Sequence, residues 1–426
     1  MRKVLALFLI LSALPYSGWA QDFSVDVYFR TRGEVRAGGQ PEEGTDKAVA
    51  SFLSEKIHLP LQFSTRHMDI RLVPRHSGVW GESGGGAFSL YEGWVQFKTD
   101  FGLFTRIGRQ ELNYDNGRII GSNDWAMAAA SHDVIRLGYE GHGHKLHLLL
   151  GFNQNAENIS GGTYYVKGNQ PYKSLQTLWY HYDVPGINLG GSLLFMNIGT
   201  QNVEKRNTEY QQLVGTYWLW KPERWTAEAS YYYQFGRTEE GMPISAWMAA
   251  AKLQFQPWQP VKFTAGYDYL SGDEFYFVRP SGGMGLIQHK VLRGFNTLYG
   301  SHHKFYGAMD FFYMSAFTDG FTPGLQNAYL GAHYAPVSTL DLSLTAHYLA
   351  ITAPLVNLRP TLGWEFEFSA AWRFHPFVSL EAGYTFMQGT ETLVALQRAT
   401  EAKRLHWVYL QLIVTPRLFS TSRSRQ

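Results

Sequence analysis

Four arginines crowd one short stretch of this chain: Arg106, Arg109, Arg118 and Arg136. A planar guanidinium grips a carboxylate through two parallel bonds, so a cluster of this kind suits anion recognition. The other residues with chemical capacity are histidines, at positions 67, 132, 142, 144, 302 and 303. Gly141-His-Gly-His144 reads as a solvated turn. His302 and His303 are adjacent, and adjacent residues of a strand point to opposite faces, so they do not converge on one metal. No His-Glu-x-x-His helix occurs, and the Gly-x-Ser-x-Gly spacing of Gly81-Glu-Ser-Gly-Gly85 falls in a Gly-rich polar loop rather than at a strand-to-helix elbow. Gly282-Gly-Met-Gly285 lacks the Lys-Ser/Thr that a phosphate loop needs and reads as a loop. An enzyme would have to assemble its site from residues far apart in sequence. No cofactor or metal is implied.

The elements that position the arginines repeat every second residue. In 23–36, Phe23, Val25, Val27, Phe29 and Val35 alternate with Ser24, Asp26, Tyr28, Arg30, Arg32, Glu34 and Arg36. Trp364, Phe366, Phe368, Ala370, Trp372 and Phe374 alternate with Glu365, Glu367, Ser369, Ala371 and Arg373. The runs 225–234, 252–255, 261–269 and 341–348 repeat the pattern. Side chains of a strand alternate between two faces, so each run has an apolar side and a polar side. Several apolar faces begin or end in Trp or Tyr, as the aromatic girdles of a membrane barrel require.

Connections alternate in length too. Tight turns fall near residues 64–65, 99–100, 141–143, 185–186, 221–223, 257–260, 336–338 and 375–376. Between them lie longer polar segments: 37–49, 79–87, 112–131, 153–172, 199–208, 237–243, 272–286, 317–324, 352–361 and 389–402. Short periplasmic turns opposite longer outer loops are the outer-membrane pattern. A soluble sandwich has no reason to sort its loops by side. The count runs to about twenty strands, two of them doubtful, and the expectation is eighteen within a range of sixteen to twenty. The fold class is therefore all-β: one transmembrane antiparallel β-barrel, in the outer membrane of a Gram-negative bacterium. A barrel of ~16–18 strands encloses an aqueous interior.

Residues 1–20 stand apart from the barrel. Met1-Arg-Lys3 is a basic start, Val4–Leu14 is apolar, and Gly18-Trp-Ala20 places small residues where a signal peptidase reads. The expected division is a signal peptide at 1–20, a barrel at 21–419 and a polar tail at 420–426. Without Arg2 and Lys3, the 37 Lys+Arg residues fall to 35 and balance the 35 Asp+Glu. A neutral chain gives no support for nucleic-acid binding. Zero cysteines leave no disulfide framework and no lipid-attachment Cys. The aromatic share of 16% suits a chain whose strands meet lipid on one face.

Two blocks carry a family resemblance. The first runs Glu92-Gly-Trp-Val-Gln-Phe97, Arg106-Ile-Gly-Arg-Gln-Glu111, Gly117-Arg118 and Asp133-Val-Ile-Arg136. The second is Phe295 to Asp310, with Ser301-His-His-Lys304 inside it. Together, in this order, they resemble the alginate-export family of outer-membrane porins. The resemblance implies an open barrel, its lumen lined with arginines and carboxylates, that passes an anionic polysaccharide.

The physics of the arginines agrees with a lumen. Arg on the lipid face near the midplane costs ~2–4 kcal/mol, so the polar parity of Arg106 and Arg136 points inward. Rings of Arg favour anions. Parity also turns Arg30, Arg32, Arg36 and Arg71 inward, with the acidic Glu34, Asp69, Glu228, Glu365 and Glu367. The expected pore-lining set is Arg106, Arg109, Arg118, Arg136, Glu92, Arg30, Arg32, Arg71 and Asp133. The competing role for Arg106, Arg109 and Arg136 is structural: ion pairs with Glu92, Glu111 and Asp133 that hold the outer loop. For Arg109, off parity at its strand end, the two roles stand level.

The expected function is a passive porin for anionic or polyhydroxylated solutes, an alginate-like polysaccharide or a small anion, constricted where an outer loop dips inward. Its partners are outer-membrane lipid, the solute and an unspecified periplasmic protein. The alternatives are a plugged barrel acting as a receptor or adhesin, and a membrane hydrolase with a Ser or His cluster at one rim.

Overall fold

The computed structural model describes residues 21–37, 49–157, 159–166, 168, 170–273, 277–278, 284–285, 291–310, 322–353, 357–396 and 404–421. Twenty-one strands share one continuous antiparallel sheet. They form eighteen wall-crossing strands, because three crossings are each broken in two. In chain order these are β1 (Asp22–Asp26 with Tyr28–Ala37), β2 (Ala50–His58 with Leu61–Ser64), β3 (Met68–Val79), β4 (Ala87–Lys98), β5 (Leu103–Gln110) and β6 (His132–Gly141). Next come β7 (His144–Phe152), β8 (Ser174–Val184), β9 (Leu189–Gln201), β10 (Thr208–Trp220), β11 (Trp225–Arg237) and β12 (Pro243–Trp258). The ring finishes with β13 (Val261–Leu270), β14 (Leu325–Val337), β15 (Leu340–Ala350), β16 (Thr361–His375), β17 (Val378–Gly389) and β18 (Arg404–Val414 with Arg417–Ser420).

Each strand pairs with the next. The sheet closes where Phe29–Ala37 of β1 pairs with His406–Val414 of β18, and Ser24 with Ser420. Closure leaves no unpaired edge in the bilayer, where an unsatisfied backbone group costs several kcal/mol. The eighteen-strand barrel expected from alternation is thus the fold. Residues 272–286 and 317–324 belong to a single connection between β13 and β14, and none of its described residues forms a wall strand, Leu292 making only an isolated bridge to Ile244 of β12. This is why the count settles at eighteen rather than twenty.

The period of two sets the faces. On β16, Trp364, Phe366 and Phe368 are 50%, 43% and 46% exposed, while Glu365 between them is 0% exposed. Trp220, Trp225, Trp258 and Trp372 lie near the short turns, and Trp80, Trp247 and Trp364 near the long loops. These are the two interfacial belts of a barrel in lipid. His302–Lys304 is a single 3-10 turn, not a strand. The two histidines separate all the same: His302 Nε2 meets Thr297 Oγ1 at 2.8 Å and His303 Nδ1 meets Asp310 at 3.0 Å.

Candidate functional site

After Gln110 the chain leaves the wall and turns into the lumen, returning only at His132. Asp115 and Gly117 have φ of 56° and 82°, so the segment bends sharply at its root. Leu112, Tyr114, Ile119 and Ile120 are buried there against Leu149, Leu175, Leu194, Met196 and Leu213, which face inward from β7 to β10. Burying one such aliphatic side chain contributes about 1.5–3 kcal/mol. The Asp115 carboxylate accepts from Trp179 Nε1 at 3.0 Å and Ser192 Oγ at 2.6 Å. Burial pushes that carboxyl above its ordinary value, against the pull of the same two hydrogen bonds.

A second inserted segment, 291–310, runs beside the first. Ile120 and Tyr299 form a parallel bridge, with Gly121 N donating to Tyr299 O at 2.9 Å and Ser301 N to Gly117 O at 2.8 Å. Gly121 and Gly300 permit this approach, since a Cβ on either would collide with Ser301 or with the Arg118 backbone. Arg118 then crosses to β13, where Nη2 donates to Asp268 Oδ1 at 2.9 Å. Its guanidinium stands 4.1 Å from the centre of the Phe305 ring. Further on, the amides of Ala308 and Met309 donate to Glu367 and Glu365 of β16 at 2.7 and 3.1 Å.

The tip of the first segment reaches the opposite wall. Lys56 Nζ donates to Asp124 Oδ1 at 2.7 Å, and Arg30 approaches the same carboxylate at 3.5 Å. Trp125 O accepts from Arg30 at 2.8 Å and Arg32 at 3.2 Å, and Ala129 O from Arg75 at 2.7 Å. Burial pushes the Asp124 carboxyl up, but Lys56 and Arg30 more than reverse this and hold it below the ordinary range. The Trp125 ring lies between the Arg32 guanidinium at 4.0 Å and the His303 ring at 3.9 Å.

The expected pore-lining residues therefore fall into three groups. Arg30, Arg32 and Arg118 are inward but only 2%, 5% and 4% exposed, holding the inserted segments in place. Arg71, Glu92, Arg106 and Arg136 face the lumen. Arg71 Nε donates to Glu92 Oε2 at 2.5 Å, and Glu92 Oε1 accepts from Trp94 Nε1 at 3.0 Å. Arg106 and Arg136 are direct partners across β5 and β6. Arg136 is 3.7 Å from Glu140 and 3.1 Å from His147. Arg106 donates to Gln96 at 2.9 Å and stacks 3.9 Å over Trp94, and it makes no ion pair among the described residues. Arg109 and Asp133 are a correction. They lie an odd number of residues from Arg106 and Arg136, on the outward parity of Ile107 and Ile135, and pair with each other at 2.7 Å.

Residues not singled out as site candidates complete the arrangement: Lys56, Arg75 and Asp124 at the tip, and Asp115 and Asp268 at the root. Lys56 and Asp268 sit on polar parity, which was the available signal. A cavity of about 190 Å³ lies between residues 303–307 and the wall from β10 to β16. Its lining mixes the Lys252–Glu228 ion pair, Lys304, Tyr329 and His347. Lys304 Nζ donates to Asn116 O at 2.9 Å.

The family model for alginate export matches residues 86–349, which include both inserted segments and the Arg106–Arg136 pair. The chain belongs to the alginate export family. No curated protein sequence matches it. Among solved structures it is similar to Pseudomonas aeruginosa OccK9 (OpdG), with a TM-score of 0.63 and 13% identity over 93% of this chain and 98% of that one. It is also similar to P. aeruginosa OccK2 (OpdF), solved in complex with glucuronate: TM-score 0.62, 11% identity, 93% and 97% covered. A BenF-like porin from Pseudomonas fluorescens Pf-5 gives 0.61 at 12% identity, with 93% and 99% covered. At these identities the likeness is one of fold, and that fold is an outer-membrane porin barrel. This member of the alginate export family is thus a porin-like barrel with two chain segments laid across its lumen.

Proposed function

We propose that the chain is a passive outer-membrane channel that selects anionic, polyhydroxylated solutes, with Arg106 and Arg136 as its selective contacts. One observation carries the reading: two guanidiniums face the lumen from directly opposite positions, and Arg106 has no carboxylate partner among the described residues. Like charges directly opposite on neighbouring strands are destabilising. An anion between them relieves that repulsion, and the low-dielectric walls of a narrowed lumen focus the field. Around them, Trp94, Phe104 and Tyr114 offer flat faces, and Gln96 and His147 offer polar groups. The glucuronate held by OccK2, a protein of the same fold, is an anionic sugar of the proposed class. No chemistry is done on the solute, and the gradient sets the direction of flow.

The test is the reversal potential of a purified channel in a salt gradient. Arg106→Ala and Arg136→Ala are each expected to lower the anion preference, Arg106→Ala more. Unchanged preference in both removes the assignment. A second reading, a plugged receptor barrel, is favoured by the tight packing of Leu112, Ile119 and Ile120 into the lumen. Absence of ohmic conductance steps in a planar bilayer would decide for it.

A further inference from the structure

The tip of the inserted loop, residues 122–131, is held differently from its root. Arg30, Arg32, Lys56 and Arg75 converge on it from β1, β2 and β3, yet the tip offers them one carboxylate, Asp124, and the backbone carbonyls of Trp125, Ala126 and Ala129. The neighbouring carboxylates are engaged elsewhere. Glu34 takes Arg32, Arg36 and the Trp407 indole; Glu92 takes Arg71; Glu111 takes the Tyr91 hydroxyl. Arg30 and Lys56 are thus left to share Asp124, and Arg75 has only Ser89 Oγ and the Ala129 carbonyl. Arg30 is 2% exposed, and its Nε has no hydrogen-bond partner among the described residues. A guanidinium binds an ionised acceptor roughly twice as strongly as a neutral one. The pocket under the tip is therefore an anion site filled by a weak internal occupant.

The tip is also constructed to leave. Four of its residues, Ala126, Ala128, Ala129 and Ala130, carry nothing beyond Cβ to anchor it. The Asp124 side chain is 51% exposed. Trp125 is the one large side chain wedged there, between Arg32 and His303 and against the edges of Trp407 and Tyr409.

We propose that residues 122–131 form an autoinhibitory latch, with Asp124 and the tip carbonyls standing in for a solute carboxylate at Arg30, Arg32, Lys56 and Arg75. A carboxylated solute in the lumen takes over these cations and swings the tip aside. The latch rests on the anion-channel reading and adds its regulation.

The chain has no cysteine, so Ala129→Cys provides a single reporter. Ala129 is 3% exposed, packed with Val73 and Tyr91, and shielded while latched. Alkylation of that thiol by a maleimide is timed in sodium glucuronate, in sodium chloride of equal ionic strength, and in glucose. The expected result is acceleration in glucuronate alone, roughly tenfold for a solute that binds the released state ten times better. Equal rates in all three media overturn the latch, as does an equal rise in chloride, which is screening. Ala128→Cys, exposed in the latched state, is expected to react alike in every medium; a rise there matching that at 129 also overturns it. Should Ala129→Cys not assemble, the question is read electrically. Glucuronate is expected to raise the open fraction of the unaltered channel, and Asp124→Asn to raise it several-fold at most without glucuronate while blunting the response to it; an equal glucuronate response in both overturns the proposal. Loss of the channel reading is separate, since it shows in the reversal potentials of Arg106→Ala and Arg136→Ala and leaves the alkylation rates untouched.

Discussion

The two ends of the lumen-crossing loop are fastened by different forces. At its root, Leu112, Ile119 and Ile120 are buried in apolar side chains of β7 to β10, and Arg118 is locked in a buried pair with Asp268. At its tip, cations of β1 to β3 hold carbonyl oxygens and a half-exposed carboxylate. Burial of apolar surface is indifferent to anions in the lumen, whereas contacts between cations and carbonyls compete directly with them. One end is an anchor and the other is exchangeable.

The largest expected effect breaks the anchor. Asp268→Ala leaves the Arg118 guanidinium buried without its partner, a loss of about 3–5 kcal/mol. The root is then expected to detach, seen as higher single-channel conductance and new protease cleavage within 111–131. If cleavage and conductance stay unchanged, the pair does not hold the loop. Replacing both residues, Arg118→Met with Asp268→Leu, is expected to restore most of the seating.

A smaller effect is expected at the tip. Asp124 is half exposed, so Asp124→Asn is expected to cost at most about 1 kcal/mol after solvent screening. The change should appear as increased gating noise without loss of the barrel, and a noise spectrum identical to the parent's would count against a charge-held tip.

Acid sharpens the same contrast. Lys56 and Arg30 hold the Asp124 carboxyl below its ordinary value of about 3.9. A depressed pKa gives docking that is fully present above the ordinary value and lost only as pH falls through the lower, folded one. Gating noise is therefore expected to be flat from pH 7 to about pH 5 and to grow only below the ordinary carboxylate range. Growth already between pH 7 and 5 would point to another group.

The smallest effect belongs to Arg109. Its pair with Asp133 is on the outer face and partly exposed, so Arg109→Ala is expected to cost under about 1 kcal/mol and to leave ion selectivity unchanged. A lost anion preference would return Arg109 to the lumen.

Much of this was legible in the residues. Alternation and turn length specify the wall, because each strand must show lipid one face and the short turns all lie on one side. Parity likewise turned Arg30, Arg32, Arg71, Arg106 and Arg136 inward. The same parity assigns Arg109 and Asp133 outward; closeness to the loop in sequence was the wrong guide there. An outer loop dipping inward was expected, but where residues 111–131 dock was not legible from the loop itself, since the partners Lys56, Arg75, Asp115's indole donor Trp179, and Asp268 come from distant strands. A signal did exist elsewhere. Leu148-Leu-Leu150 on β7 and Leu193-Leu-Phe-Met196 on β9 are apolar on both faces. A wall bordering water on its inner side would not be, so these strands announce that protein covers them from within.

The role proposed for the paired arginines on β5 and β6 is to choose the solute. It is tested most directly by the reversal potential of Arg106→Gln/Arg136→Gln in a potassium gluconate gradient, beside Arg109→Gln and the unaltered channel. The expectation is loss of anion preference in the double variant and full retention in Arg109→Gln. Retained preference in the double variant would contradict the claim.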